Sequence, residues 1–261
     1  MNEPKKLLSI GGWDPCGAFG VPADIKTFSA HGLHGMGVLT VATAQNSTKW
    51  IGAEFLPVDF VESQLEAVLS DYGTDGVKTG FLGRVDLIKM IGAKLAYYDP
   101  PHVVIDPVLV NHAGRLMFGT EVVRAYQDEL LPFADIITPN LDEARVLVEN
   151  ETGDAQTVAR ELQAMFDTAD VIVTGCRQGD QVVDWWCNGE QTIGRKRPWI
   201  ATNNISGSGD TFSAALVCGL AQGMLINEAL NHADRFIEQS IRRAKDWHLG
   251  QGPGPVGNMV S

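Results

Sequence analysis

The chain has 261 residues, is 44% hydrophobic and carries a formal net charge of −12 at pH 7. This length and composition predict one large buried core. The acidic balance argues against broad binding to nucleic acids or anionic membranes, because both require basic patches. No apolar run approaches the length of a membrane span, no signal peptide is predicted, and the four cysteines are scattered without metal-site spacing. We therefore expect a cytoplasmic protein with free thiols.

Short apolar strands alternate with helices along the chain. Strands are predicted over residues 7–10, 36–44, 76–79, 103–105, 136–137 and 171–173, and helices over 22–30, 59–69, 85–97, 120–130, 141–148, 157–166, 211–219 and 226–245. Two more strands, 182–186 and 191–193, flank the hairpin signal Asn188-Gly189. The alternation predicts an α/β fold with a mostly parallel central sheet and helices on both faces.

The pattern is continuous enough to predict a single domain over residues 1–261. Its last part, residues 250–261, contains four glycines and two prolines and shows no periodicity, so we expect a mobile tail.

Polar and glycine residues follow the apolar strands, where ligands of such sheets bind. These strand ends carry Gly11-Gly12, Gln45-Asn46, Thr79-Gly80, Asp106-Pro107, Thr138-Pro139-Asn140 and Thr174-Gly175. Because loop starts are often polar, the composition alone is weak support for a site, but the repeated Asp, Asn and Gln favour one.

A small-residue loop leads directly into a helix over residues 204–215. Gly207 and Gly209 allow close approach of the backbone, and the first N–H groups of the helix form an anion site. Asp210 at the centre of this loop suits a base that orients a hydroxyl for attack on a phosphate. Simple helix capping by Ser206 or Asp210 is the alternative. The loop lacks the Gly-Lys-Ser/Thr sequence of a P-loop, and the histidines show no metal-ligand spacing.

Several motifs share one order and spacing with a known family. They are residues 8–27 (LSIGGWDPCGAFGVPADIKT), 43–46 (TAQN), 77–80 (VKTG), 105–108 (IDPV), 130–144 (LLPFADIITPNLDEA) and 207–210 (GSGD). Together they resemble the hydroxymethylpyrimidine/phosphomethylpyrimidine kinases of thiamine biosynthesis, in the ribokinase superfamily. The resemblance covers nearly the whole chain.

The resemblance implies a ribokinase-like fold and three groups of site residues. The pocket for a pyrimidine or pyridine ring would be lined by Gly11, Asp24, Gln45, Phe81 and Val108. The ATP and Mg²⁺ side would contain Asp106, Asn140, Glu143, Thr174 and Gly175. The anion hole would be Gly207, Ser208 and Gly209, with Asp210 as the catalytic residue. Mg²⁺ would be held through water and phosphate near Asp106 and Glu143 rather than by direct protein ligands. A K⁺ requirement stays open, and the family suggests a homodimer.

The chain departs from the pyrimidine-kinase pattern at three places. Asp210 stands where that branch has Cys, Thr174 where it has Lys, and Phe19 where it has a small residue. Asp is the better hydroxyl-orienting base, but its charge would repel an incoming phosphomonoester. Phosphorylation of the monophosphate is therefore left open.

These features predict ATP-dependent phosphorylation of the hydroxymethyl group of a small heteroaromatic ring. The preferred substrate is 4-amino-5-hydroxymethyl-2-methylpyrimidine. Pyridoxal or pyridoxine kinase and nucleoside or sugar kinase activity are the alternatives within the enzyme class. A non-catalytic pyrimidine-binding sensor is the alternative outside it.

Overall fold

The computed structural model describes residues 3–111, 114–166 and 169–259. Within these ranges nine strands form one sheet in the order β3-β2-β1-β4-β5-β6-β7-β8-β9. The strands are β1 Lys6–Trp13, β2 His34–Gln45, β3 Trp50–Phe55, β4 Gly76–Thr79, β5 Val103–Ile105, β6 Ile136–Ile137, β7 Asp170–Gln178, β8 Gln181–Cys187 and β9 Thr192–Pro198. Strands β2, β1, β4, β5, β6 and β7 pair in parallel, whereas β3, β8 and β9 pair antiparallel at the two edges.

Helices cover both faces of this sheet, as the alternating pattern predicted. They are α1 Gly20–Ala30, α2 Val58–Asp71, α3 Val85–Tyr98, α4 Thr120–Ala125, α5 Leu141–Leu147, α6 Ala155–Met165, α7 Ser208–Ala221 and α8 Ile226–Ala244. A π-helical turn and a 3₁₀ turn extend α4 to residue 133. None of the helices in the described ranges is long and apolar enough to cross a membrane.

Successive residues of the central strands face different cores. Leu7 of β1 packs in a cluster with α7 and α8, whereas its neighbour Leu8 packs in a cluster with α2 and α3. This follows from the two-residue period of a strand, and it explains why parallel strands with both faces covered show continuous apolar runs.

Helix α7 is buried almost all round and holds the start of the predicted anion loop in place. Every residue from Thr211 to Ala221 is buried, and the helix packs between α1 and α8 against the sheet. A helix apolar on all sides is typical of a protein interior. Its N-terminus is consequently fixed relative to the carboxyl ends of β1, β4 and β5.

The structure corrects the sequence-based description at two places in the sheet. Strand β3 was not predicted, and it pairs antiparallel with β2 from Val41 to Gln45. Strand β7 does not end at Thr174-Gly175 but continues to Gln178 after a register shift, because β8 supplies an antiparallel partner.

Residues 250–259 of the predicted mobile tail pack against the rest of the chain, and residues 260–261 of that prediction lie outside the described residues. Val256 and Asn258 are buried, and Pro255 forms a parallel bridge with Ser206. A segment without helical or strand periodicity is held here by individual hydrogen bonds to the rest of the chain.

Candidate active site

Four charged side chains meet where α1 and the N-terminus of α7 pack against the central strands. The Nζ of Lys78 in β4 lies 2.9 and 3.0 Å from the two carboxylate oxygens of Asp24 in α1. The same Nζ lies 2.8 Å from Oδ1 of Asp210 and 3.9 Å from Oδ2 of Asp106. We call these four residues the lysine cluster.

Lys78 is the group that sequence reasoning missed. Its side chain is 0% exposed, in a strand whose residues are all buried. Burial alone would lower the pKa of Lys78, but the charges of the surrounding carboxylates outweigh it and raise the pKa above its usual value. The ammonium therefore stays charged, and it is the common partner of three carboxylates. A lysine within a short strand predicted to be buried was the available signal.

Asp24 and Asp106 are each held by a second partner. The hydroxyl of Ser9 donates to Oδ2 of Asp24 at 2.6 Å, and the hydroxyl of Ser213 lies 3.1 Å from Oδ2 of Asp106. Burial raises the pKa of Asp24 to about 7 and that of Asp106 to about 6, although Lys78 opposes both shifts. With one ammonium for three carboxylates, the cluster attracts cations.

The N-terminus of α7 presents unpaired N–H groups beside Asp210. Gly207 is the N-cap residue with φ of 76°, and a Cβ at this position would lie 1.8 Å from the carbonyl oxygen of Ala18. The N–H of Ser208 donates to the carbonyl of Ile205 at 3.1 Å and is occupied. In the described part of the chain the N–H groups of Gly209 and Asp210 find no protein acceptor, so they can hold an anion.

The loop over residues 14–20 packs against the anion loop at Gly207. Oδ2 of Asp14 accepts from the N–H groups of Ala18 and Phe19 at 2.8 and 3.1 Å, and Oδ1 accepts from Cys16 at 3.0 Å. Asp14 is buried, and it fixes the carbonyl of Ala18 against which Gly207 packs. This role was not predicted, because the loop has no periodic pattern.

The predicted ring-binding residues are only partly brought together. An ideal Cβ on Gly11 would lie 3.6 Å from the backbone nitrogen of Phe81, so these two positions adjoin. The ring of Phe81 contacts those of Trp50, Phe55 and Phe118, with centroids 6.5, 6.0 and 5.5 Å away. This aromatic group offers an apolar wall against which a heteroaromatic ring can pack.

The other three predicted ring-binding residues, which are Gln45, Val108 and Asp24, have different surroundings. Gln45 ends β2 opposite Trp50, and its backbone carbonyl accepts from Cys16 Sγ at 3.3 Å. Val108 is half-buried, and its N–H donates to the carbonyl of Asp106 at 3.0 Å. Asp24 is 1% exposed; both its oxygens accept from Lys78, and its Oδ2 also accepts from Ser9. Its assignment to the ring pocket stays a prediction.

The residues predicted for the nucleotide side lie at the ends of β6 and β7. Asn140 and Glu143 form a capping box at the start of α5, with both hydrogen bonds at 3.0 Å. Burial and the charge of Asp106 raise the pKa of Glu143 to about 8. Thr174 bridges to Asn140, and the N–H of Gly175 donates to Oδ1 of Asp184 at 2.6 Å.

Within the described ranges no group of three or more His, Cys, Asp or Glu side chains is arranged to hold a metal ion. The oxygens of Glu143 are also engaged by backbone N–H groups of Asn140 and Leu109. A cation at this edge would therefore need ligands besides the protein.

The chain is similar to known kinases along almost its whole length. A model of the family described as phosphomethylpyrimidine kinase matches residues 14–257. The hydroxymethylpyrimidine/phosphomethylpyrimidine kinase of Rhizobium meliloti (strain 1021) is 36% identical over 253 residues, which cover 95% of each chain. An ADP complex of Bacillus subtilis pyridoxal kinase has a TM-score of 0.90 and 32% identity over 98% of each chain. Staphylococcus aureus pyridoxal kinase in complex with AMP-PCP has a TM-score of 0.89 and 30% identity, covering 98% of this chain and 94% of that one.

Proposed function

We propose that this chain, which belongs to the phosphomethylpyrimidine kinase family, transfers the terminal phosphoryl group of ATP to the hydroxymethyl group of 4-amino-5-hydroxymethyl-2-methylpyrimidine. The observation that carries the proposal is the pairing of Asp210 with Lys78 beside two unpaired N–H groups at the start of α7. Phosphoryl transfer needs little more than an oriented hydroxyl and donors for the transferring group.

Asp210 acts as the acceptor for the proton of the attacking hydroxyl. Its Oδ1 is held by Lys78 at 2.8 Å, which leaves Oδ2 to face the substrate. The N–H groups of Gly209 and Asp210 bind the oxygens of the transferring phosphoryl group, and the dipole of α7 adds positive potential there. Both the base and the phosphate donors therefore come from one rigid helix end, which fixes their relative geometry.

ATP occupies the side of the site formed by β5, β6 and β7. The ADP and AMP-PCP complexes of the similar pyridoxal kinases support this use of a nucleotide. Mg²⁺, when bound, would supply charge for the triphosphate. Asp106 and Glu143 would attract it through water and phosphate, because the oxygens of Glu143 already accept backbone N–H groups.

The substrate ring stacks on the aromatic wall around Phe81. The amide of Gln45 offers a donor and an acceptor for the edge of an aminopyrimidine. The monophosphate is a possible second acceptor, because Lys78 offsets part of the charge of Asp210 that would repel it. The remaining carboxylates of the lysine cluster still oppose it, so we place free hydroxymethylpyrimidine first.

Pyridoxal is the second candidate substrate. The similarity in fold to the Bacillus and Staphylococcus pyridoxal kinases, at 30–32% identity, favours it. A pyridine ring with a hydroxymethyl arm can use the same wall, base and anion hole. The K⁺ requirement, the homodimer and the cytoplasmic location stay predictions.

The substitution Asp210→Asn tests the proposed role of this residue. We expect kcat to fall on the order of 10²-fold or more, because the amide cannot take the hydroxyl proton. Asp71→Asn, at an exposed carboxylate at the end of α2, is the matched control and keeps wild-type rates. Wild-type turnover by Asp210→Asn would refute the assignment. The readout is ADP release with Mg-ATP and the free pyrimidine.

A further inference from the structure

The C-terminal segment contacts the elements that carry the proposed site residues. We call residues 250–259 the C-terminal strap. Its Gly257 N–H donates to the carbonyl of Ser240 at 2.9 Å, and the guanidinium of Arg243 donates to the carbonyl of Gly257 at 2.7 Å. Both partners lie on α8, so this helix anchors the strap.

The strap pairs with the backbone directly before the anion loop. The N–H of Ser206 donates to the carbonyl of Gly254, and the N–H of Val256 donates to the carbonyl of Ser206, each at 3.1 Å. Ser206 precedes Gly207, whose backbone abuts Ala18 on the other side. The anion loop therefore lies between the strap and the loop over residues 14–20 and contacts both.

The buried side chain of Asn204 forms further hydrogen bonds between the start of the anion loop and the strap. Its Oδ1 accepts from the N–H of Gly254 at 2.8 Å, and its Nδ2 donates to the carbonyls of Ala244 and Trp247 at 2.7 and 2.9 Å. One side chain therefore joins the start of the loop, the strap and the end of α8.

Asn258 lies between the two helices that carry Asp24 and Asp210. Its Nδ2 donates to the carbonyl of Ala23 at 3.1 Å and lies 3.4 Å from the hydroxyls of Thr27 and Thr211. Ala23 precedes Asp24 in α1, and Thr211 follows Asp210 in α7. The amide is buried, so these contacts are not in competition with water.

The far end of the strap reaches the segment that carries Gln45. The N–H of Gly252 donates to the hydroxyl of Ser47 at 3.0 Å. A Cβ at position 252 would lie 2.1 Å from the carbonyl oxygen of Ser47, so the two backbones are in close contact. The strap consequently contacts three segments that carry site residues, although it supplies no group to the lysine cluster.

We infer that the C-terminal strap is a positioning element of the active site, and that Asn258 sets the distance between α1 and α7. This inference rests on the proposed function. The Asn258 amide contacts the Ala23 carbonyl and the Thr211 hydroxyl, next to Asp24 and Asp210, two of the three carboxylates around Lys78. Without it, α7 can shift against α1, and Asp210 moves relative to Lys78 and to the substrate hydroxyl. Displacements of about 1 Å in such groups can cost on the order of 10²-fold in rate.

The central test compares Asn258→Ala and Asn258→Asp with Met259→Ala. The Asp variant keeps the shape of the side chain but replaces the donor by an acceptor that faces the Ala23 carbonyl. Met259, the next residue of the strap, has a 51% exposed side chain and is the matched control. We expect kcat to fall at least about tenfold in both Asn258 variants, with the KM for ATP and for the pyrimidine within about twofold. A general loss of folded protein would instead lower the active fraction, with the rate per folded molecule unchanged.

Amide hydrogen exchange provides a readout that does not depend on the substrate. We expect faster exchange at the hydrogen-bonded N–H groups of Ser206, Ser208 and Thr211 in Asn258→Ala and Asn258→Asp, and wild-type exchange in Met259→Ala. If wild-type protein fails to phosphorylate the pyrimidine, the proposed function fails, whereas the exchange result still decides whether the strap holds the loop. Unchanged exchange and a kcat within about twofold in the Asn258 variants would overturn the inference.

Ser47→Ala tests the other end of the strap, in case the Asn258 variants do not fold. It removes the acceptor of the Gly252 N–H without opening the buried contact between α1 and α7. We expect a KM for the pyrimidine raised several-fold with kcat nearly unchanged, and faster exchange over residues 250–254. Wild-type KM and wild-type exchange would contradict a positioning role for this end.

Discussion

Lys78 offers the sharpest perturbation of the site, because one ammonium serves three carboxylates. In Lys78→Met the side chain keeps a similar length but loses its charge and its donors. Asp24 then loses two contacts of 2.9 and 3.0 Å, and Asp210 loses one of 2.8 Å. Ser9 still donates to Asp24, but Asp210 retains no cation among the contacts of the cluster described above.

The expected loss of folding free energy is large. Removing one partner of a buried ion pair typically costs about 3–5 kcal/mol, because the remaining charge stays buried without compensation. Lys78 is fully buried, so solvent screening does not reduce this value. Lys89→Met is the matched control: Lys89 is 56% exposed and lies 3.3 Å from Glu129, so its loss should cost no more than about 1 kcal/mol.

The double variant Lys78→Met/Asp24→Asn separates the two consequences of losing the ammonium. Neutralising Asp24 removes one uncompensated charge, so part of the lost stability should return. Activity should stay low, because Asp210 still lacks the group that orients it. Lys78 acts to lower the pKa values of Asp24 and Asp106, so the acid limb of the pH–activity profile should also move to higher pH in Lys78→Met.

Chemical denaturation and kinetics with Mg-ATP measure both effects. The reasoning would be refuted if Lys78→Met lost no more stability than Lys89→Met and kept the wild-type pH profile. A loss of stability with unchanged kcat would show that the lysine cluster is structural and does not orient Asp210.

Two further predictions concern the backbone of the anion loop and the buried acid of the nucleotide side. Gly207→Ala should lose more stability and activity than Gly223→Ala. Both glycines have positive φ, but only at Gly207 would the new Cβ meet a carbonyl oxygen, 1.8 Å away. Thermal unfolding of the two variants checks this prediction. Glu143 has a pKa raised from 4.5 to about 8, so its contribution to stability is present below pH 4.5 and is lost as the pH rises through 8. Relative to Glu143→Gln, the wild type should lose on the order of 5 kcal/mol between these limits, and equal pH dependence in denaturant titrations would contradict the assigned burial effect.

Periodicity predicted most elements because their burial is regular. The central strands are buried and largely apolar, and the amphipathic helices have clear apolar faces, so both patterns are visible in the sequence. Strand β3 lacks such a pattern: it lies at the sheet edge with Trp50 and Ile51 exposed, and its pairing with β2 is what makes it a strand. The contacts of the C-terminal segment were not predicted for a related reason, because they are made with residues distant in sequence such as Ser206 and Asn204.

The sequence predicts an anion loop around Asp210 but not the side chains that contact Asp210. Asp24, which the resemblance assigns to the ring pocket, lies on the buried face of α1 with Val21, Thr27 and Phe28. An acidic residue on an apolar helix stripe and a lysine in a buried strand are two halves of one ion pair. The packing of α1 on β1 and β2, with β4 next to β1 in the sheet, brings Asp24 and Lys78 together, and that packing cannot be read from spacing along the chain.

Product analysis on a substrate panel tests the central claim most directly. Wild-type protein and Asp210→Asn are incubated with Mg-ATP and hydroxymethylpyrimidine, its monophosphate, pyridoxal, pyridoxine or ribose, and phosphorylated products are identified by mass spectrometry. The account predicts phosphorylation of the free pyrimidine by the wild type and a loss on the order of 10²-fold or more in Asp210→Asn. Phosphorylation of pyridoxal or pyridoxine alone would favour the second candidate. Bound pyrimidine without any phosphorylated product in any reaction would contradict a kinase mechanism based on Asp210.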